Sequence, residues 1–125
     1  MLQIGRPPSR RLDDPVRKLR PEHEAAELWL YADEIGPRHT ARTLARLPGL
    51  RMVVIVLPEG DRIPEHRADA DIAIQVLKGA VRIHAGGTLV DLRDREIATI
   101  ARGLPHDVEA FEDSELLLTL GTMRR

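Results

Sequence analysis

From residue 40 onward the chain breaks into short runs that are strand-sized, each closed by a turn signal. This pattern limits the fold more than any other feature. The runs are TARTLAR (40–46), RMVVIVL (51–57), IAIQVL (72–77), AVRIHA (80–85), TLVDL (88–92), IATI (97–100), DVEAF (107–111) and ELLLTL (115–120). Between them stand LPG, PEGD, KG, AGG, RDRE, GLP and EDS, where Gly, Pro and Asp favour reversal of the backbone. None of the eight is long enough for an ordinary helix with an apolar stripe, so the texture predicts an all-β sandwich or barrel. In AVRIHA, Val81 and Ile83 alternate with Arg82 and His84; in DVEAF, Val108 and Ala110 alternate with Asp107 and Glu109. Such strands are packed on one face and wet on the other. The segment PEGDRIPE between the second and third runs reads as a loop.

Residues 1–20, rich in Pro, Arg and Asp, read as an irregular solvated arm. PEHEAAELWLYADEI follows. Pro21 at a first turn with Glu22, Glu24, Ala25, Ala26, Glu27 and Leu28 favours a short helix, while Trp29, Leu30 and Tyr31 also suit an edge strand. The expected organisation is an N-terminal arm and extension over 1–39 packing on a β-barrel over 40–121. ELLLTL and RMVVIVL are apolar at nearly every position, so both of their faces need cover. A second subunit is the expected partner, giving a homodimer; the alternative is that 22–35 covers the face within the same chain.

Composition removes several functions. With 125 residues and 42% hydrophobic content the chain supports one domain with a real core. The 19 basic and 20 acidic residues give a net charge of −1, which offers no general attraction to nucleic acid or to an anionic membrane. There is no cysteine, so disulfides, thiolate metal sites and cysteine nucleophiles are out. Trp29, Tyr31 and Phe111 are the only aromatics, too few for a base-stacking or sugar-stacking platform. No apolar run is long enough to span a membrane and no signal-peptide core is visible, so the expectation is cytoplasmic. Of the two serines, Ser9 lies in the arm and Ser114 in a turn, neither framed as a nucleophile elbow. No catalytic residue is assigned.

Five histidines carry the remaining chemistry: His23, His39, His66, His84 and His106. His23 and His39 sit in charged surroundings and read as surface residues; His84 reads as solvated or interfacial. His66 and His106 each stand beside a Pro or Gly turn near a strand start, where a side chain can point into a barrel mouth.

The stretch GDRIPEHRADADIAIQVLKG, from Gly60 to Gly79, resembles the first motif of the cupin superfamily, with Gly60, His66 and Gly79 in register. RDREIATIARGLPHDVEA resembles the second, through Gly103 and His106. The resemblance covers residues 40–120 and implies a cupin-type, jelly-roll-like antiparallel β-barrel with a short N-terminal extension. It also implies a metal site of two His and one Glu from the first motif and one His from the second. Here Ala68 stands at the second His position and Ile72 at the Glu position. Arg95 and Ala101 replace the Gly and Pro of the second motif, and Ala110 its Asn. His66 and His106 are the only metal-ligand candidates left, and a third ligand for Zn, Fe, Mn or Ni would have to come from Asp69, Asp71 or Gln75. Without metal, the two imidazoles serve as hydrogen-bonding and proton-exchanging contacts, or bond to each other or to Glu65. Arg67 and Arg102 flank them and suit a carboxylate clamp. The sequence thus predicts a cupin that binds a small organic molecule in an aliphatic cavity lined by Ile72, Ile74 and Val76, with His66 and His106 as its polar contacts. The alternative is a metal-dependent oxygenase or isomerase acting on a small organic acid.

Overall fold

The computed structural model describes residues 11–35 and 38–122, with side chains described for all of these except 32–35. One helix, α1 (Pro21–Ile35), precedes nine strands: β1 (Thr40–Leu47), β2 (Leu50–Leu57), β3 (Arg62–His66), β4 (Asp71–Lys78), β5 (Ala80–Ala85), β6 (Thr88–Arg93), β7 (Ile97–Ile100), β8 (His106–Ala110) and β9 (Ser114–Gly121). All pairings are antiparallel. They form a five-stranded sheet in the order β1-β2-β9-β4-β7 and a four-stranded sheet in the order β3-β8-β5-β6. The two ladders stay separate, so the barrel expected from sequence is a jelly-roll-like pair of facing sheets. Ser9 and the arm up to residue 10 lie outside the described residues.

The eight expected strands are present to within a residue at most ends. The ninth, β3, occupies part of the segment read as a loop. Pro64 cannot donate to a ladder, which is why the run looked unlike a strand. An edge strand interrupted by a bulge tolerates it, and β3 is such an edge, with its register against β8 shifting between Ile63 and His66. A two-residue hairpin of type I′ demands positive φ at both turn positions. Gly86 and Gly87 meet this demand between β5 and β6, at φ 55 and 80.

The alternation places the core between the sheets. Ile72, Ile74, Val76 and Leu116 from the larger sheet pack with Val81, Ile83 and Val108 from the smaller one. Each fully buried aliphatic side chain contributes roughly 1.5–3 kcal/mol. A second cluster lies on the outer face of the larger sheet, where Ala25 and Leu28 of α1 cover Leu44, Val54 and Val56, with Leu77 and Leu117 at its margin. Ala25, Leu28 and Trp29 recur at helical spacing on one side of α1, while Leu30 and Tyr31 are exposed. The edge-strand alternative for Trp29–Tyr31 therefore gives way to helix. Trp29 fastens this packing by donating from Nε1 to Glu115 Oε2 at 2.8 Å.

The apolar second face that argued for another subunit is thus covered from within the chain. Residues 11–20 form no regular element, yet they are tied down: Arg46 N–H donates to Leu12 O at 2.7 Å, and Arg17 Nε to Leu44 O at 3.0 Å. No helix among the described residues is long and apolar enough to cross a membrane.

Candidate functional site

The two motif loops meet at one end of the sheet pair. Gly103, at φ 77, donates its N–H to Ala68 O at 2.9 Å. Arg102 reinforces the junction: its side chain binds Asp69 Oδ1 at 2.8 Å and Asp69 O at 2.7 Å, and its backbone N–H binds Asp71 Oδ1 at 2.9 Å. Next to this junction β3 and β8 place His66 opposite His106. Their rings touch edge to face, with centroids 4.2 Å apart and planes at 60°.

Both imidazoles are oriented in the same way. His66 Nδ1 lies 3.0 Å from Pro64 O, and His106 Nδ1 lies 3.0 Å from Leu104 O. A carbonyl only accepts, so each Nδ1 carries a proton, and in the neutral ring the lone pair is at Nε2. The rings are not hydrogen-bonded to each other or to Glu65. Their exposures differ: His66 is exposed, whereas His106 is 3% exposed.

His66 lines a mouth cavity of about 500 Å³ together with Arg51, Val53, Arg67, Ala68, Asp69, Ala70, Ile72, Leu118, Leu120 and Thr122. Of the three aliphatic residues expected to line a cavity, Ile72 does so. Ile74 and Val76 do not: they are 1% and 0% exposed and belong to the packed core. The reason is depth, since each step of two residues along β4 moves one row away from the mouth. Arg102, expected beside Arg67 as a clamp, is committed to Asp69 and Asp71. Arg51 takes that place in the cavity. Its signal in the sequence was its period-two spacing from Val53 and Ile55, which puts it on the core-facing side of β2.

The donors for a metal stop at two imidazoles. Asp69 pairs with Arg102, Asp71 accepts from the Arg102 backbone, and Gln75 faces the opposite side of β4, where it lines a groove with Pro21, His23 and Leu117. Among the described residues no three His, Cys, Asp or Glu gather in a group that would hold a metal ion. The residues present therefore do not complete the three-ligand set that catalytic zinc or non-haem iron uses.

A second polar constellation sits on the outer face of the smaller sheet. Asp107, 7% exposed, accepts from Arg62 Nη2 at 2.8 Å and lies 3.2 Å from His84 Nδ1. Burial works to raise its carboxyl pKa, but the hydrogen bonds and charges of Arg62 and His84 together outweigh it and hold the group below the usual carboxylate range. This clamp joins β3, β8 and β5 and lines a groove of about 370 Å³ that His106 also reaches. Sequence alternation placed Asp107 and His84 outward but gave no hint of the burial. His39 pairs with Asp61 and His23 with Glu27 at the surface, and buried Ser114 binds the backbone of Ala80 and Glu112.

Fold and site together define a two-sheet antiparallel jelly roll with its polar groups gathered at one end. No family model and no curated protein matches the sequence. Solved structures do match. A conserved protein of unknown function from Streptococcus pyogenes aligns with a TM-score of 0.66 and 22% identity, over 71% of this chain and 78% of that one. An RmlC-like cupin from Shewanella frigidimarina gives a TM-score of 0.66 and 18% identity, over 73% and 82%. A glycine-to-alanine mutant of salicylate 1,2-dioxygenase from Pseudoaminobacter salicylatoxidans gives 0.74 and 20%, covering 90% of this chain but 37% of the dioxygenase. The chain has the cupin fold.

Proposed function

We propose that this chain is a small-molecule-binding cupin whose ligand enters the mouth cavity beside His66, with His106 behind it. The observation that carries the reading is the matched orientation of the two imidazoles. Each Nδ1–H is committed to a carbonyl, so Nε2 of His66, which lines the cavity, is the ring position left to bond a ligand, while His106 packs behind it. Val53, Ile72, Leu118 and Leu120 supply the apolar wall, in keeping with ligand sites that are largely apolar with a few fixed polar groups.

The rival reading is a metal-dependent enzyme of oxygenase or isomerase type acting on a small organic acid. It requires a third protein ligand; Asp69 and Asp71 are bonded to Arg102, and Gln75 faces the other side of β4. Metal analysis of untagged protein separates the two. The binding-module reading expects no stoichiometric metal, and a thermal-shift screen of small organic molecules in which native protein is stabilised and His66→Ala is not. Near-stoichiometric Zn, Fe, Mn or Ni that disappears in the His66→Ala/His106→Ala variant would overturn it in favour of the enzyme.

A further inference from the structure

The row of inward-facing residues nearest the mouth is interrupted in one place. Across the larger sheet, strand register sets Arg46 opposite Arg51, Arg51 opposite Leu120, Leu120 opposite Ile72 and Ile72 opposite Ile100. One row deeper stand Thr43, Val53, Leu118, Ile74 and Ala98, with no charged residue among them. An uncharged inner face thus ends on two arginines, one directly across from the other. Like charges in opposed positions of an antiparallel pair are destabilising.

Arg46, Arg51 and Arg67 form no ion pair among the described residues. Asp69, which lines the cavity, is bound by the Arg102 guanidinium, and Asp71 accepts from the Arg102 backbone. Arg51 and Arg67 share the mouth cavity with His66. A concave site with low-dielectric walls and one sign of uncompensated charge concentrates ions of the other sign. In a chain of net charge −1, this local excess of positive charge is not a general property of the surface.

We infer that the mouth takes a short aliphatic carboxylate, its oxygens bound by Arg51 and Arg67 and its hydrocarbon body laid against Val53, Ile72, Leu118 and Leu120. This rests on the reading of the mouth as a ligand site. The guanidinium fork matches a carboxylate, often through two parallel hydrogen bonds. The apolar part of the lining is aliphatic (Val53, Ile72, Leu118 and Leu120), with no Phe, Tyr or Trp to stack an aryl acid. Arg46 adds to the attracting field from the rim, and the Arg46–Arg51 repulsion is relieved when the anion arrives.

The test compares hexanoate with its neutral amide, hexanamide, on the full chain by calorimetric titration and thermal shift. Hexanoate is expected to bind native protein at least tenfold more tightly than hexanamide. Arg51→Gln/Arg67→Gln is expected to abolish that preference. Arg51→Gln alone is expected to raise the Tm of the ligand-free protein by about 1–3 °C, because the opposed charges are gone. A residue kept for stability alone would give the opposite sign. Equal binding of acid and amide, with both lost in His66→Ala, overturns the carboxylate inference and leaves the mouth reading standing. No response to hexanoate in the native chain, or a fall in Tm for Arg51→Gln, overturns the inference as well. Hexanoate binding unchanged by Arg51→Gln/Arg67→Gln and by His66→Ala overturns both, because the acid then sits elsewhere.

Discussion

Gly79 closes the first motif, and the structure gives its exclusion of side chains a magnitude. It sits between β4 and β5 at φ 105, and a Cβ there would meet Ser114 Oγ at 2.3 Å, Asp113 O at 2.6 Å and Ser114 Cα at 2.7 Å. Two of those three atoms are backbone. The third belongs to a fully buried serine whose hydroxyl accepts from Ala80 N–H at 3.1 Å. In Gly79→Ala the left-handed backbone costs about 1–2 kcal/mol, overpacking about 1–3 kcal/mol and the disturbed serine hydrogen bond about 1 kcal/mol. The expected loss is therefore roughly 3–6 kcal/mol, a large part of the ~5–15 kcal/mol that holds a domain together. At about 4 °C per kcal/mol for a chain of this size, Tm falls by roughly 12–24 °C. Gly87→Ala is the matched control, since Gly87 has φ 80 and nothing within 4 Å of its added Cβ. It pays only the conformational part, about 1–2 kcal/mol. Urea unfolding followed by fluorescence of Trp29, the sole tryptophan, reports both variants on one scale. If the two lie within about 1 kcal/mol of each other, the steric argument at Ser114 is refuted; that margin is below the smallest combined cost expected of the added packing terms.

Two further outcomes are expected. Arg95, standing where the second motif has glycine, adopts φ 71, so Arg95→Gly should stabilise by about 0.5–1 kcal/mol in the same melts as relieved strain exceeds the added freedom of the unfolded chain; a loss of stability would show that the arginine side chain contributes more than its backbone costs. Because Asp107 has a lowered carboxyl pKa in the fold, its contribution is present above the unfolded carboxylate range and fades as pH falls through the lowered value. Asp107→Asn should then be clearly less stable than native protein at pH 6, with the gap closing towards pH 2–3; a gap that stays constant over that range would rule out the clamp by Arg62 and His84.

The sequence by itself determined the positions of eight strands, because turn chemistry and the period-two alternation are local. Val81 and Ile83 declare their face whatever they pack against, and Gly86–Gly87 declares its hairpin. The spacing from Gly60 through His66 to Gly79 identified the fold, and the structure supplies the steric reason for its last glycine. Pro64 concealed β3, since a strand that survives only as an edge shows no local preference for being one. What tertiary structure decided is everything that depends on which residues meet. The pairing of β3 with β8 brings His66 against His106 across 40 residues of chain, and the carbonyls of Pro64 and Leu104 fix both tautomers. Row depth along β4 separates Ile72 at the mouth from Ile74 and Val76 in the core. Strand register brings Arg46 and Arg51 face to face and leaves them without a counter-ion among the described residues. Burial and the bonds to Arg62 and His84 turn Asp107 from an outward-facing acid into an ionised clamp. Local sequence sets which face a side chain takes; long-range packing sets its depth, its partner and its charge.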